Sequence, residues 1–113
     1  MKKRYSLFII ISLLLLIAKP AGSEEIKGDA NTGKAIYKKK CIACHGKNGE
    51  GLGPKSRMPN FKDSKRMATK TDKELFEKIT KGGRGSGMPS FKSALKEEDR
   101  WNVIAYIRTF SGE

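Results

Sequence analysis

Cys41-Ile42-Ala43-Cys44-His45 decides how the rest of this chain is read, because the sequence contains no other cysteine and no other histidine. Two thiols and an imidazole fall within one or two turns of backbone. A dithiol redox site would need βαβ surroundings, whereas Asn31 to Lys40 reads as a helix entering the motif. A structural zinc site wants four ligands, usually as two separated pairs, and the chain has no second Cys or His pair. A disulfide between Cys41 and Cys44 would account for the thiols but leave His45 without a role.

The remaining reading uses all three residues: covalent attachment of a c-type haem. Cysteines two residues apart can each form a thioether with one haem vinyl group, while the next residue offers its imidazole to the iron from the same side. The short tether fixes the face that His45 reaches, and the sixth position must be filled from elsewhere in the chain. A ligating histidine normally donates its second ring nitrogen to a carbonyl, and the carbonyl of Pro54 is the candidate acceptor.

The ends of the sequence set the compartment. Met1-Lys2-Lys3-Arg4 is a positive lead, Leu7 to Ala18 is apolar except for Ser12, and Ala21-Gly22-Ser23 places small residues where a signal peptidase reads them. The expectation is a signal peptide over residues 1–23 and one domain over 24–113, exported, to the periplasm. The apolar run is shorter than the ~20 residues that span a bilayer. Removing the signal takes Lys2, Lys3, Arg4 and Lys19 from the 24 basic side chains, leaving 20 against 12 acidic ones, a net +8. A basic protein is steered to acidic surfaces. Nucleic acid is excluded by the compartment and by the lack of any nucleic-acid motif, so acidic redox proteins, or peripheral contact with an anionic membrane, remain. The mature domain is small for a purely polypeptide core, and a bound haem would supply the missing apolar bulk.

Asp29 is placed to cap a helix running to Lys40, with Gly33, Tyr37 and Cys41 on one face. Gly46 to Lys70 is glycine- and proline-punctuated and reads as a loop. Thr71-Asp72-Lys73-Glu74 is a capping-box sequence opening a short amphipathic helix that stops at Gly82. A last helix begins near Glu97 and runs to Phe110, apolar around most of its circumference. It is expected to cross the first helix at Gly33 and Tyr37 and to press Trp101 toward the haem. No segment alternates as a strand does.

Two short matches compete for the sixth ligand: Met58-Pro59-Asn60-Phe61-Lys62 and Met88-Pro89-Ser90-Phe91-Lys92. Met88 follows a glycine-rich loop between two helices, far enough along the chain to reach the second face of the ring, and Pro89 restricts its backbone. Met58 follows His45 after only a short loop. Met88 is therefore the expected ligand, with Met58 and Met67 as core or surface fillers.

Taken together, Gly33-x-x-x-Tyr37-x-x-x-Cys41-x-x-Cys44-His45, Gly51-x-Gly53-Pro54, Gly87-Met88-Pro89 and the terminal helix from Trp101 to Tyr106 resemble the class I monohaem c-type cytochromes of the bacterial periplasm. The resemblance spans essentially the whole mature chain. It departs at Lys96, where the family's terminal helix often opens with a Ser or Thr cap. It implies an all-α fold of three to five helices wrapped round one covalently bound haem c, with thioethers at Cys41 and Cys44 and iron held by His45 and Met88. It implies a one-electron carrier; the chain is expected to be a monomer and not an enzyme. The haem edge would be ringed by some of Lys38, Lys39, Lys40, Lys55, Arg84 and Lys92. The alternative is a haem enzyme or gas sensor in which Met88 leaves the iron; Tyr37, Arg57 and Arg84 are its nearest candidates for distal groups, since no second histidine exists.

Overall fold

The computed structural model describes residues 27–52, 58–83, 85 and 87–112. The expected signal over 1–23, and Gly53, Pro54, Lys55, Arg57 and Arg84, lie outside the described residues. Within them the chain forms five helices and no strand: α1 (Ala30–Lys40), α2 (Ile42–His45), α3 (Ser64–Ala68), α4 (Asp72–Lys81) and α5 (Glu97–Thr109).

Helix α1 starts as its sequence requires. The Asp29 carboxylate accepts from the backbone N–H of Asn31 and Thr32 and from the Thr32 hydroxyl, satisfying donors that the first turn leaves free. These bonds, the Thr32 hydroxyl first, hold the Asp29 carboxyl below the usual carboxylate range. Lys38, Lys39 and Lys40 occupy the last turn, where positive charge suits the helix dipole.

α1 crosses α5 at Gly33. A Cβ on Gly33 would lie 1.8 Å from the carbonyl oxygen of Asn102, so the two backbones meet at a distance that only glycine permits. The Asn102 side chain locks the same crossing by accepting from the Asp29 N–H at 2.7 Å. Beyond it, Tyr37 packs against Tyr106 and Phe110 with ring centroids 5.3 and 5.4 Å apart. Tyr37, Val103 and Ile104 are almost wholly buried here, and from this crossing the apolar core continues through Ile107 to Phe61, Met67 and Ile79.

Helix α4 is held at its start by the expected capping box: the Thr71 hydroxyl accepts from Glu74 N–H, and the Glu74 carboxylate accepts from Thr71 N–H. It ends at Gly82, whose φ is 72° and where a Cβ would press into the Met88 carbonyl. Helix α5 opens at Lys96 with no side-chain cap, and Glu97, Glu98 and Asp99 in its first turn complement the dipole instead.

Two expectations need correction. The stretch from Gly46 to Lys70 is not all loop, since α3 forms within it, capped by the Asp63 carboxylate accepting from Arg66 N–H. Five residues are too few to show a helical period, which is why the sequence pattern hides it. Trp101 does not turn toward the space left for a cofactor. It stacks on Phe76 at 4.3 Å, with the Lys27 ammonium 5.2 Å from its ring centroid on the outside of the α4/α5 contact.

One feature of α5 was not expected. Arg108 is 5% exposed, and its guanidinium donates to the Asp72 carboxylate at 2.8 Å, to the Met67 carbonyl at 2.8 Å and to the Lys70 carbonyl. A single side chain thereby ties the end of α3, the turn after it and the start of α4 to the last helix.

Candidate haem site

The motif is carried by two consecutive pieces of helix. Cys41 closes α1, its N–H donating to the Tyr37 carbonyl, and α2 is one turn in which His45 N–H donates back to the Cys41 carbonyl at 2.9 Å. The following carbonyls are all engaged: Leu52 N–H donates to Cys44, Gly51 N–H to His45, and the buried Tyr37 hydroxyl to Gly46 at 2.7 Å. The segment bearing the thiols and the imidazole is thus braced from α1 and from the chain that follows it.

Cys41 is half-buried and Cys44 exposed, and both are free thiols. Burial, and then the neighbouring Cys44, push the Cys41 thiol up to about 11. That is the reverse of the lowered value a dithiol redox centre needs. Burial also lowers the basicity of His45, favouring the neutral imidazole that ligates metals. Its ring stacks on Phe61 at 4.9 Å and 23°, which fixes its plane. Phe61 is placed in turn by donating its N–H to the Gly49 carbonyl.

These residues open onto a cavity of about 570 Å³. Cys41, Cys44 and His45 form part of its wall, and Met88 is also on it. Leu75, Ile79, Val103 and Ile107 make much of the remainder apolar. Folded domains rarely leave such a volume empty, since interiors pack as densely as organic crystals. A second feature points the same way. His45 Nδ1 is buried and has no hydrogen-bond partner among the described residues. A buried polar atom of this kind calls for an explanation. An imidazole that binds metal through one nitrogen and needs a carbonyl for the other supplies it, with the expected acceptor, Pro54, lying outside the described residues. The donor set, the apolar wall and the volume all fit a haem.

The Cytochrome C oxidase, cbb3-type, subunit III family matches residues 28–107, from the cap of α1 to the last turns of α5. The chain belongs to this family of c-type cytochromes. Cytochrome c-551 of Bacillus subtilis is 29% identical over 116 residues, covering 93% of this cytochrome and 94% of that protein. The cbb3-type cytochrome c oxidase subunit FixP of Bradyrhizobium sp. is 31% identical over 84 residues, which are 74% of this cytochrome but only 28% of the much longer FixP. Among solved structures, cytochrome c6 from the diatom Phaeodactylum tricornutum superposes with a TM-score of 0.60 at 26% identity, covering 74% of this chain and 95% of that one. The fold is the small all-α cytochrome c fold, and the cofactor is covalently attached haem c with its iron.

Within this frame the structure brings Cys41, Cys44, His45 and Met88 to one cavity, together with Met58 and Met67. Met67 is nearly fully buried and belongs to the core. Met58 sits against Gly51, the residue that donates to the His45 carbonyl, and so lies beside the histidine. Met88 projects from the loop between α4 and α5.

The expected cationic rim is mostly elsewhere. Of Lys38, Lys39, Lys40 and Lys92 only Lys40 lines the cavity, while Arg66, Lys70 and Lys78 line it unannounced. The sequence did carry one signal for Phe61 and the wall around it, the Met-Pro-x-Phe-Lys repeat. Nothing local pointed to Arg66, Lys70 or Lys78. Among the described residues no helix is long and apolar enough to cross a membrane.

Proposed function

We propose that this cytochrome is a one-electron carrier working outside the cytoplasm, in the periplasm, after removal of residues 1–23. The observation that carries the reading is the convergence of two thiols, an imidazole and a thioether on one largely apolar cavity. When bound there, haem c supplies an iron that takes up and releases single electrons. Cys41 and Cys44 would hold it as thioethers, and His45 and Met88 would supply the nitrogen and sulfur that hold its iron. With both ligands drawn from the chain, the residues would hold the iron alike in either oxidation state, and a thioether sulfur would favour the reduced one. Leu75, Ile79, Val103 and Ile107 exclude water from the site.

The site offers little for catalysis on a bound substrate. The Tyr37 hydroxyl is committed to the Gly46 carbonyl, and its pKa is raised well above the ordinary tyrosine value, chiefly by burial. The charged groups stand exposed at the mouth. We therefore read the protein as a monomeric carrier rather than an enzyme. The mature polypeptide's +8, less the charge of the two haem propionates, leaves a basic protein that steers acidic redox partners, and its basic surface also suits peripheral contact with anionic membrane.

The optical spectra of Met88→Ala and Met58→Ala, with carbon monoxide added to each reduced protein, test the assignment. The sulfur-to-ferric-iron band should vanish in the first variant only, and carbon monoxide should bind that variant readily but not the wild type. Survival of the band in Met88→Ala would end the Met88 assignment, and rapid carbon monoxide binding by the wild type would favour an open, enzyme-like or sensor site.

A further inference from the structure

We propose that Arg66 and Lys70 hold the two propionate carboxylates of the haem. The inference rests on the haem reading above and adds the chain's grip on the opposite edge of the ring.

Haem is an amphiphile with chemically distinct edges: the vinyl groups taken up by the thioethers lie on one side of the macrocycle and the two propionates on the other. A cavity that receives it must therefore be cationic away from its cysteines. Among the described residues, the charged groups on the wall are Lys40, Arg66, Lys70, Glu74 and Lys78. Lys40 is the residue before Cys41, which assigns it to the tethered edge. Lys78 lies one turn before Gly82, whose α-carbon packs on the Met88 carbonyl, so it belongs to the side carrying the sixth ligand. Glu74 is occupied as an acceptor, taking the Thr71 N–H at 2.8 Å. Helix α5 brings only Val103 and Ile107 to the cavity, and the loop after α4 brings apolar side chains such as Met88 and Phe91. Arg66 and Lys70 are the remaining cations, four residues apart on α3 and the turn after it, two positive groups for two carboxylates.

The backbone beneath them is built to stay in place. Arg108 donates to the carbonyls of Met67 and Lys70, and the Thr69 hydroxyl donates to that of Arg66 at 2.7 Å. A buried arginine spent on an exposed turn makes sense if that turn must present its side chains in a fixed direction. Arg66 would meet one carboxylate through its planar fork and Lys70 the other as a point charge. Both would keep the propionates ionised and help to set the tilt of the ring.

The test measures midpoint potential against pH by spectroelectrochemistry on the haem-loaded protein. The variants are Arg66→Gln/Lys70→Gln and the control Lys40→Gln/Lys78→Gln, which removes the same formal charge from the same mouth. In the wild type and the control the potential should be flat between about pH 5 and 8, because the carboxylates stay ionised throughout. In Arg66→Gln/Lys70→Gln the propionate pKa should rise by about one unit or more, so the potential falls as pH rises and the new negative charge favours ferric iron. Arg66→Lys/Lys70→Arg should restore the flat profile. The single variants are run alongside, so the profile can be read even if the double variant fails to mature. Equal profiles in the two doubles, or a slope confined to the control, would overturn the assignment. A colourless wild type with the bare polypeptide mass would instead remove the haem reading, and the two failures cannot be confused.

Discussion

Replacing Tyr37 by Phe removes one oxygen and leaves the aromatic packing in place, so it isolates the bond that braces the haem-binding segment. The hydroxyl donates at 2.7 Å to the Gly46 carbonyl, one residue after His45, in a fully buried site. Gly46 N–H is already used on Ile42, and the carbonyl also accepts a longer bond from Gly49 N–H at 3.3 Å, so loss of the hydroxyl removes the shorter of its two donors. The Tyr106 and Phe110 rings stay in contact with the substituted ring. Loss of a buried hydrogen bond that leaves its acceptor unsatisfied costs about 1–3 kcal/mol, against a net value near 1 kcal/mol when the partner can find water. Gly49 N–H stays on the carbonyl in the variant, so we expect the lower end, about 1 kcal/mol. Guanidinium unfolding of the ferric holoprotein, followed by absorbance and by helical circular dichroism, measures it. Burial keeps the phenol protonated beyond the usual tyrosine range, so the donor survives mild alkali and the difference from wild type should not change between neutral and mildly alkaline pH. A loss under about 0.5 kcal/mol would mean that the bond merely replaces one to water and that the segment is braced from elsewhere.

Among the described glycines, Gly33→Ala should be the most damaging added methyl. Its Cβ would fall 1.8 Å from a backbone oxygen, which cannot swing aside, and the α1/α5 crossing must open by an amount costing more than the usual 1–3 kcal/mol of overpacking, read as a lower denaturation midpoint. Arg108→Met leaves the Asp72 carboxylate, 17% exposed, and the Lys70 carbonyl without this donor, while the Met67 carbonyl keeps the Lys70 N–H at 3.1 Å; a loss of about 3 kcal/mol is expected, and Asp72→Asn should lose less, because the arginine keeps its carbonyl partners. Thr71→Ala should cost about 1 kcal/mol through the cap of α4. The Glu74 carboxyl is held below its ordinary value, first by the Thr71 N–H, so its contribution is present above the unfolded carboxylate pKa and is lost as pH falls through the folded one. Glu74→Gln should therefore flatten part of the acid limb of stability measured by urea titration, and an unchanged limb would contradict the capping role.

The parts legible in the sequence are those whose cause lies within a few residues. Asp29, the Thr71 to Glu74 box and Gly82 mark helix ends because capping bonds span two to four positions, and the structure places those ends where the pattern does. The pairing of Gly33 and Tyr37 with α5 was readable as a face, since small and aromatic residues recur at helical spacing. The side of α5 that meets the cofactor was not readable. Trp101 and Val103 are two residues apart, about 200° around the helix, so the crossing angle alone decides which of them lines the cavity. The same holds for Arg108, whose three acceptors lie 36 to 41 residues away along the chain. At the site, Cys41, Cys44 and His45 are local by nature. The three methionines are not, and all three arrive at the same wall.

These observations give the domain a definite division of labour. The α1/α5 crossing is closed by the polypeptide itself, through backbone contact at Gly33, the Asn102 bond and the aromatic group around Tyr37. The α3/α4 side reaches α5 through Arg108, the Phe76–Trp101 stack and the buried Met67 and Ile79, and a cavity of about 570 Å³ lies between it and the cysteine-bearing segment. A chain this small cannot bury enough apolar surface to hold two such halves together unaided. The polar clamps stand where each half meets that space: Tyr37 on Gly46 beside the histidine, Arg108 on Met67 and Lys70 beneath the cationic turn, and Phe91 N–H on the Ile79 carbonyl after the methionine loop. Directional bonds at the walls and non-directional packing elsewhere are what a binding site for a rigid flat group requires, because the ring tolerates slack in the core but not in the atoms that ligate it.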